Sequence, residues 1–192
     1  MKEKIRMTEC QFLKNSIAIV GFFCLVLSLS TAWGGNLPEK GQKLPDLVFQ
    51  SPTIESHKTY LGITTPTFKV ADIKSRLLVL EVIGVYCPQC YRQAPGFNNL
   101  YNRIEKGSLK GQVKLLGIAA GGNTKEIQYL HDQKQYNFPI VPDLSFDIHK
   151  LLGEPRTPFT IIVTPAGNVL FTHMGVIENI DTLWKTIADL MK

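Results

Sequence analysis

The stretch Leu77-Leu78-Val79-Leu80-Glu81-Val82-Ile83-Gly84-Val85-Tyr86-Cys87-Pro88-Gln89-Cys90 decides how the rest of the chain is read. Its first half is nearly continuously apolar, which is the pattern of a central strand covered on both faces. The cysteine pair then falls where this strand gives way to a helical pattern. Pro88 suits a first helical position, and Phe97, Leu100, Tyr101 and Ile104 recur at three- and four-residue spacing. Pro95 lies inside that helix and is expected to kink it.

Cysteines so placed have a defined chemistry. A thiolate, not a thiol, attacks a disulfide, and the unpaired N–H groups and dipole of a helix N-terminus stabilise that anion. Cys87 is expected there as the nucleophile. Cys90, one turn on and on the same face, is expected to resolve the mixed disulfide. Other uses of the pair fit less well. A c-type haem site needs His after the second cysteine, where this chain has Tyr91. A zinc site needs two more ligands, and His57, His131, His149 and His173 are dispersed with no second cysteine pair nearby. A structural disulfide across two residues would constrain almost no loop entropy. The pair reads as a redox-active dithiol that calls for no metal and no cofactor.

Working outward, Val113 to Ala120 reads as a second apolar strand. Gly121-Gly122-Asn123-Thr124 then turns into a helix through about Tyr136. Pro139 to Pro142 reads as a short extended link, Phe146 to Leu152 as a short helix, and Phe159 to Thr164 as another strand. Pro165-Ala166-Gly167-Asn168 makes a hairpin turn into Val169 to Met174. Ile180, Leu183, Trp184, Ile187, Leu190 and Met191 mark one face of a terminal helix capped by Asn179. Upstream, Pro45, Pro52, Gly62 and Pro66 break Leu44 to Lys69 into an irregular extension with short strands. The alternation of strands and helices makes this an α/β chain.

The chain has 192 residues, 44% of them apolar and 19% charged, which suits one folded domain with a well-buried core. Lys2, Lys4, Arg6 and Lys14 precede an uncharged stretch from Ser16 to Leu29 and the small residues Ser30-Thr31-Ala32, so residues 1–32 read as an export signal cleaved after Ala32, or as a retained membrane anchor. Residues 33–43 then form a linker and 44–192 the domain. Cys10 and Cys24 fall in the leader, and Cys24 follows Phe23, where a lipid-attachment signal would carry a small residue. The leader accounts for two of the +5 formal charges, and the remaining charge is scattered, which excludes a basic patch for nucleic acid.

Taken together, Glu81 six residues before Cys87, Pro95 five after Cys90, Thr157-Pro158 ahead of a strand, and the Gly167 hairpin resemble the thioredoxin-like thiol-disulfide oxidoreductases of the exported TlpA/ResA type, in the wider AhpC/TSA-redoxin superfamily. The resemblance covers about residues 44–192. It implies a thioredoxin-like fold, a central mixed sheet flanked by helices, here with an N-terminal β extension. It also implies that Glu81 relays the proton of Cys90. A carboxylate interrupting an apolar strand should have a raised pKa, which suits that role. Thr157-Pro158 is implied to be the cis-proline segment that meets an extended substrate, with Tyr86, Pro88 and Gln89 lining the same site. Two residues depart from the pattern. Tyr86 stands where tryptophan is usual, and Gln93 stands where ResA-type members often carry glutamate. Gln93 cannot titrate, which leaves Glu81 as the acid.

The expected activity is dithiol–disulfide exchange in the periplasm or another extracytoplasmic space. The partners would be exported protein disulfides, apocytochrome c among them by resemblance, and a membrane thiol-disulfide electron donor. Any membrane contact would run through the N-terminal segment alone. Two other readings share the fold. A Sco-like copper chaperone would join His173 to the two cysteines, but Sco-type proteins carry three residues between theirs. A peroxiredoxin-like peroxidase with antioxidant activity would want Thr three residues before Cys87, where this chain has Gly84.

Overall fold

The computed structural model describes residues 36–192, so the leader, Cys10, Cys24 and the start of the linker lie outside the described residues. The extension is more ordered than its sequence suggests. It runs β1 (Val48–Gln50), α1 (Glu55–Leu61) and β2 (Thr67–Lys69), with the two strands paired antiparallel and Phe49 opposite Phe68. The helix α1 corrects the expectation of strands alone. With Leu61 at its end and Gly62 closing it in a left-handed conformation (φ 73°), seven residues give too little apolar periodicity to be read from sequence.

The strand β3 (Leu77–Gly84) is the third in a five-stranded sheet of order β5-β4-β3-β6-β7. Its neighbours are β4 (Val113–Ala120), parallel to it, and β6 (Phe159–Val163), antiparallel to it; β7 (Val169–Met174) closes the sheet beside β6. On the opposite edge, Ile140–Asp143 form a true strand, β5, paired in parallel with β4. This corrects the reading of that segment as a link. Pro142 is tolerated because an edge strand needs ladder donors on one side only.

Both faces of β3 are covered, which accounts for its unbroken apolar run. Leu78, Leu80 and Val82 pack with Phe49, Leu61 and Phe68 of the extension. Leu77, Val79 and Ile83 point the other way, onto α2 (Pro88–Lys106) and α5 (Ile180–Leu190), where they meet Phe97, Leu100, Ile104, Leu183 and Ile187. Glu81 shares the period-two face that looks toward α2. As expected, Pro88 opens α2, Asn179 caps α5, and α2 continues past Pro95.

Between them, α3 (Thr124–Lys134) starts in a capping box of Asn123 and Glu126. It ends earlier than expected, because Gln135 turns left-handed (φ 57°) and directs Tyr136 into the core. The short α4 (Asp147–Leu151) is held by Asp143, whose buried carboxylate accepts the N–H groups of Ile148 at 3.0 Å and His149 at 2.9 Å. Asp143→Ala strands both donors and should lower unfolding stability by about 1–3 kcal/mol, read as a shift in denaturant midpoint.

Candidate active site

The three parallel strands end on one edge of the sheet, and Cys87 stands at that edge as the N-cap of α2. Its Sγ accepts the N–H of Cys90 at 3.2 Å, and as a thiol it reaches the carbonyl of Thr157 at 3.5 Å. Gly84 makes this approach possible, since a Cβ there would meet Thr157 Oγ1 at 3.1 Å and Cys87 Cβ at 3.2 Å. The Thr157-Pro158 peptide is cis, as the resemblance implies.

The two cysteines differ sharply. Cys87 is half-buried and Cys90 is fully buried; both are free thiols. Burial works against ionising Cys87, but hydrogen bonds from the Cys90 thiol, from Thr157 and from the amides of Cys90 and Gln89 outweigh it, so its pKa falls below the usual range. Burial pushes the Cys90 thiol well up, and the neighbouring Cys87 adds to this. The two thiols thus differ in both exposure and ease of ionisation, Cys87 being the more exposed and the more readily ionised.

The candidate acceptor is Glu81, only 2% exposed. Burial raises its pKa to about 8, while hydrogen bonds from Thr160 and Gln93 pull the other way. Thr160 Oγ1 donates to Oε2 at 2.7 Å from the strand partner directly opposite Glu81, and the Gln93 amide donates to Oε1 from α2. Gln93 in turn accepts the N–H of Ile177 at 2.6 Å, which ties the carboxyl to the loop after β7. The residue that departs from the family pattern therefore acts on Glu81 as a neutral, fixed donor. Gln93→Glu would place two buried carboxyls on one proton and should move the upper pH inflection of turnover above 8, by a unit or more, in a pH–rate profile.

Neither Thr160 nor Tyr136 stood out in the sequence. Tyr136, buried and kept protonated mainly by that burial, donates to the carbonyl of Cys90 at 3.0 Å. Thr160 becomes visible only through the antiparallel pairing of β3 with β6. For Gln93 a signal was available, because it lies one helical turn beyond Cys90 on the same face.

Of the expected substrate residues, Gln89, Thr157 and Pro158 line a groove of about 390 Å³ with Arg156, Met174, Gly175 and Val176. Pro88 begins α2 beside them. Tyr86 lies on the other flank of Cys87, 72% exposed, with its hydroxyl donating to Glu126 at 3.0 Å. His173 engages the carbonyl of Val176 at 3.3 Å through Nε2. Among the described residues no three His, Cys, Asp or Glu side chains gather as a metal site.

Known proteins resemble both this scaffold and this sequence. The chain is 26% identical over 109 residues to the thiol-disulfide oxidoreductase ResA of Halalkalibacterium halodurans, covering 57% of this chain and 60% of that relative. It thus spans less than two thirds of that relative's length. Among solved structures, a protein described as the thiol:disulfide interchange protein DsbE of Chlorobium tepidum superposes with a TM-score of 0.65 at 19% identity, covering 82% of this chain and all of that one. The thioredoxin domain of a thiol-disulfide oxidoreductase from Bacteroides vulgatus superposes with a TM-score of 0.61 at 14% identity, over 81% of this chain and 99% of that one. These superpositions establish the thioredoxin-like fold. Residues 41–172 match the model of the AhpC/TSA family, and with the mixed sheet, the cysteine pair at its parallel edge and the cis-proline opposite, the chain belongs to that family.

Proposed function

We propose that the chain is an extracytoplasmic thiol-disulfide oxidoreductase that reduces disulfides in other exported polypeptides. The observation that carries this reading is the asymmetry of the pair, an accessible low-pKa Cys87 beside a buried high-pKa Cys90 with a titrating carboxyl on the same face of β3. The Cys87 thiolate attacks a substrate disulfide, forms a mixed disulfide and releases one substrate thiolate. Glu81 takes the proton of Cys90; the Cys90 thiolate then attacks Cys87 Sγ and releases the second substrate thiolate. Two electrons pass to the substrate and the chain is left with a Cys87–Cys90 disulfide.

A membrane thiol-disulfide donor would return those electrons, and the cysteines of apocytochrome c are candidate substrates by family resemblance. Export rests on the leader pattern of residues 1–32. Tyr86, Pro88, Gln89, Thr157 and Pro158 would contact the substrate chain around its cystine. The test mixes the reduced chain with an equimolar disulfide-bonded protein such as insulin and follows both partners by mass. One Cys87–Cys90 disulfide should appear per substrate disulfide lost. Substrate loss no faster than in a thiol-only control rejects the reading.

A further inference from the structure

Among the described residues most large apolar side chains are buried, and the exposed ones are Leu37, Val48, Tyr86, Tyr129, Leu144, Phe146 and Leu151. Leu144 (61% exposed) and Phe146 (44%) stand on the turn after β5, and Tyr86 (72%) stands on the turn after β3. Between them, Gly121 and Gly122 follow β4. Parallel strands place all three turns on the dithiol edge, and at a strand spacing of about 4.8 Å, β3 and β5 lie roughly 10 Å apart.

Phe146 is fixed in place. Its backbone is left-handed (φ 58°), which is costly for a residue with a bulky side chain. Its N–H is bonded to the Asp143 carbonyl at 2.9 Å, and that carbonyl also accepts the N–H of Gly121 at 2.9 Å. The ring lies over Gly121, where an added Cβ would meet it at 2.2 Å, and packs edge-on against His149 with centroids 5.6 Å apart. On the other side, a Cβ on Gly122 would meet Val85 at 2.8 Å, two residues before Cys87. A rigid, half-exposed aromatic therefore lies across a glycine floor from the turn that carries the nucleophile. A ring held in this way is preorganised and loses little entropy on contact.

Resting on the oxidoreductase reading, we propose that Leu144 and Phe146 form a docking rim for an extended polypeptide carrying an aliphatic or aromatic side chain three or four residues from its reacting cysteine. The occupant follows from the edge it shares with Cys87. A chain that brings a cystine to Cys87 and continues past Tyr86 toward β5 runs along this edge, and at about 3.3 Å per extended residue a side chain three or four positions away reaches the rim. The rim would thus select substrates with apolar sequence around the cystine, as unfolded exported chains expose, over polar ones.

The experiment uses the full chain and two cystine-bridged peptides of equal charge, one with Leu and Phe at the third and fourth positions from the cysteine and one with Ser and Asn there. The apolar peptide should react with a kcat/KM about tenfold higher, which corresponds to one good apolar anchor. The double variant L144S/F146S should lose that preference through KM with kcat retained, whereas Phe146→Tyr, which keeps the ring, should retain it. Unchanged alkylation of Cys87 and an unchanged unfolding midpoint show that the variants are folded. Equal rates for both peptides, or a preference that survives L144S/F146S, overturn the rim and leave the oxidoreductase reading standing. A chain that reduces neither peptide nor oxidised glutathione overturns both. A concentration-dependent dimer dissolved by L144S/F146S, with peptide preference intact, would assign the rim to a second copy of this chain and also overturn the proposal.

Discussion

Cys87→Ser should lower the rate of protein-disulfide reduction by at least about 10³-fold, while Cys90→Ser should keep the first half of the reaction and stop at a mixed disulfide. The difference follows from the burial and ionisation of the two thiols. Cys87 is reachable and its anion receives the Cys90 amide at 3.2 Å, whereas Cys90 is 1% exposed and cannot meet a substrate directly. Serine at 87 removes the only reachable thiolate of the pair, and a hydroxyl does not ionise near neutral pH. Serine at 90 leaves the attack intact but removes the group that would release the product. Mass spectrometry of the Cys90→Ser chain with a disulfide-bonded protein should therefore find a covalent complex through Cys87. A covalent complex formed through Cys90 in the Cys87→Ser chain, at a comparable rate, would reverse the assigned roles.

Glu81→Gln should slow the resolving step by about 10²-fold or more at pH 8, the usual effect of losing a positioned base, and should abolish the inflection near that pH. It should also stabilise the fold at the same pH. The folded carboxyl titrates at about 8 against an ordinary 4.5, so between those values the folded chain holds a proton that the unfolded chain has lost. Stability conferred by that bound proton is full below 4.5 and is lost as pH rises through 8, by up to about 1.4 kcal/mol per pH unit. The amide of the variant has no such dependence. It can keep both neighbours, because the Thr160 hydroxyl can turn from donor to acceptor. Denaturant unfolding of both forms from pH 4.5 to 8.5 should show their difference widening in favour of the variant while turnover falls. Parallel stability curves would mean that Glu81 is not held protonated by the fold.

Residues whose signal is local were legible in the sequence. The apolar run of β3, the proline at the start of α2, the Gly167 hairpin and the amphipathic face of α5 each lie within one element, and the structure finds them where their patterns place them. The place of Cys87 at a strand–helix junction is legible for the same reason, since the apolar run before it and the helical pattern after it are both local. What escaped depends on pairing across the chain. Thr160 is seventy-nine residues from Glu81 and becomes its partner only through antiparallel registry. Tyr136 reaches Cys90 only because Gln135 turns left-handed and ends α3 early. The strand β5 was masked by Pro142 within it and Pro139 just before it, and α1 by its shortness. Gln93 could be seen to lack a charge, but not to point its amide at the buried Glu81 carboxyl.

The most direct test of the account is the thiol–disulfide equilibrium of Cys87 and Cys90, obtained by holding the chain in graded thiol buffers, alkylating it, and weighing the peptide that contains both residues. A single reversible two-electron transition is expected, in which both tags are lost together, nearer the roughly −270 mV of thioredoxin than the roughly −120 mV of a strong oxidant. A transition near −120 mV would reverse the direction of electron flow assigned to the pair, and the absence of any reversible transition would contradict the dithiol chemistry itself.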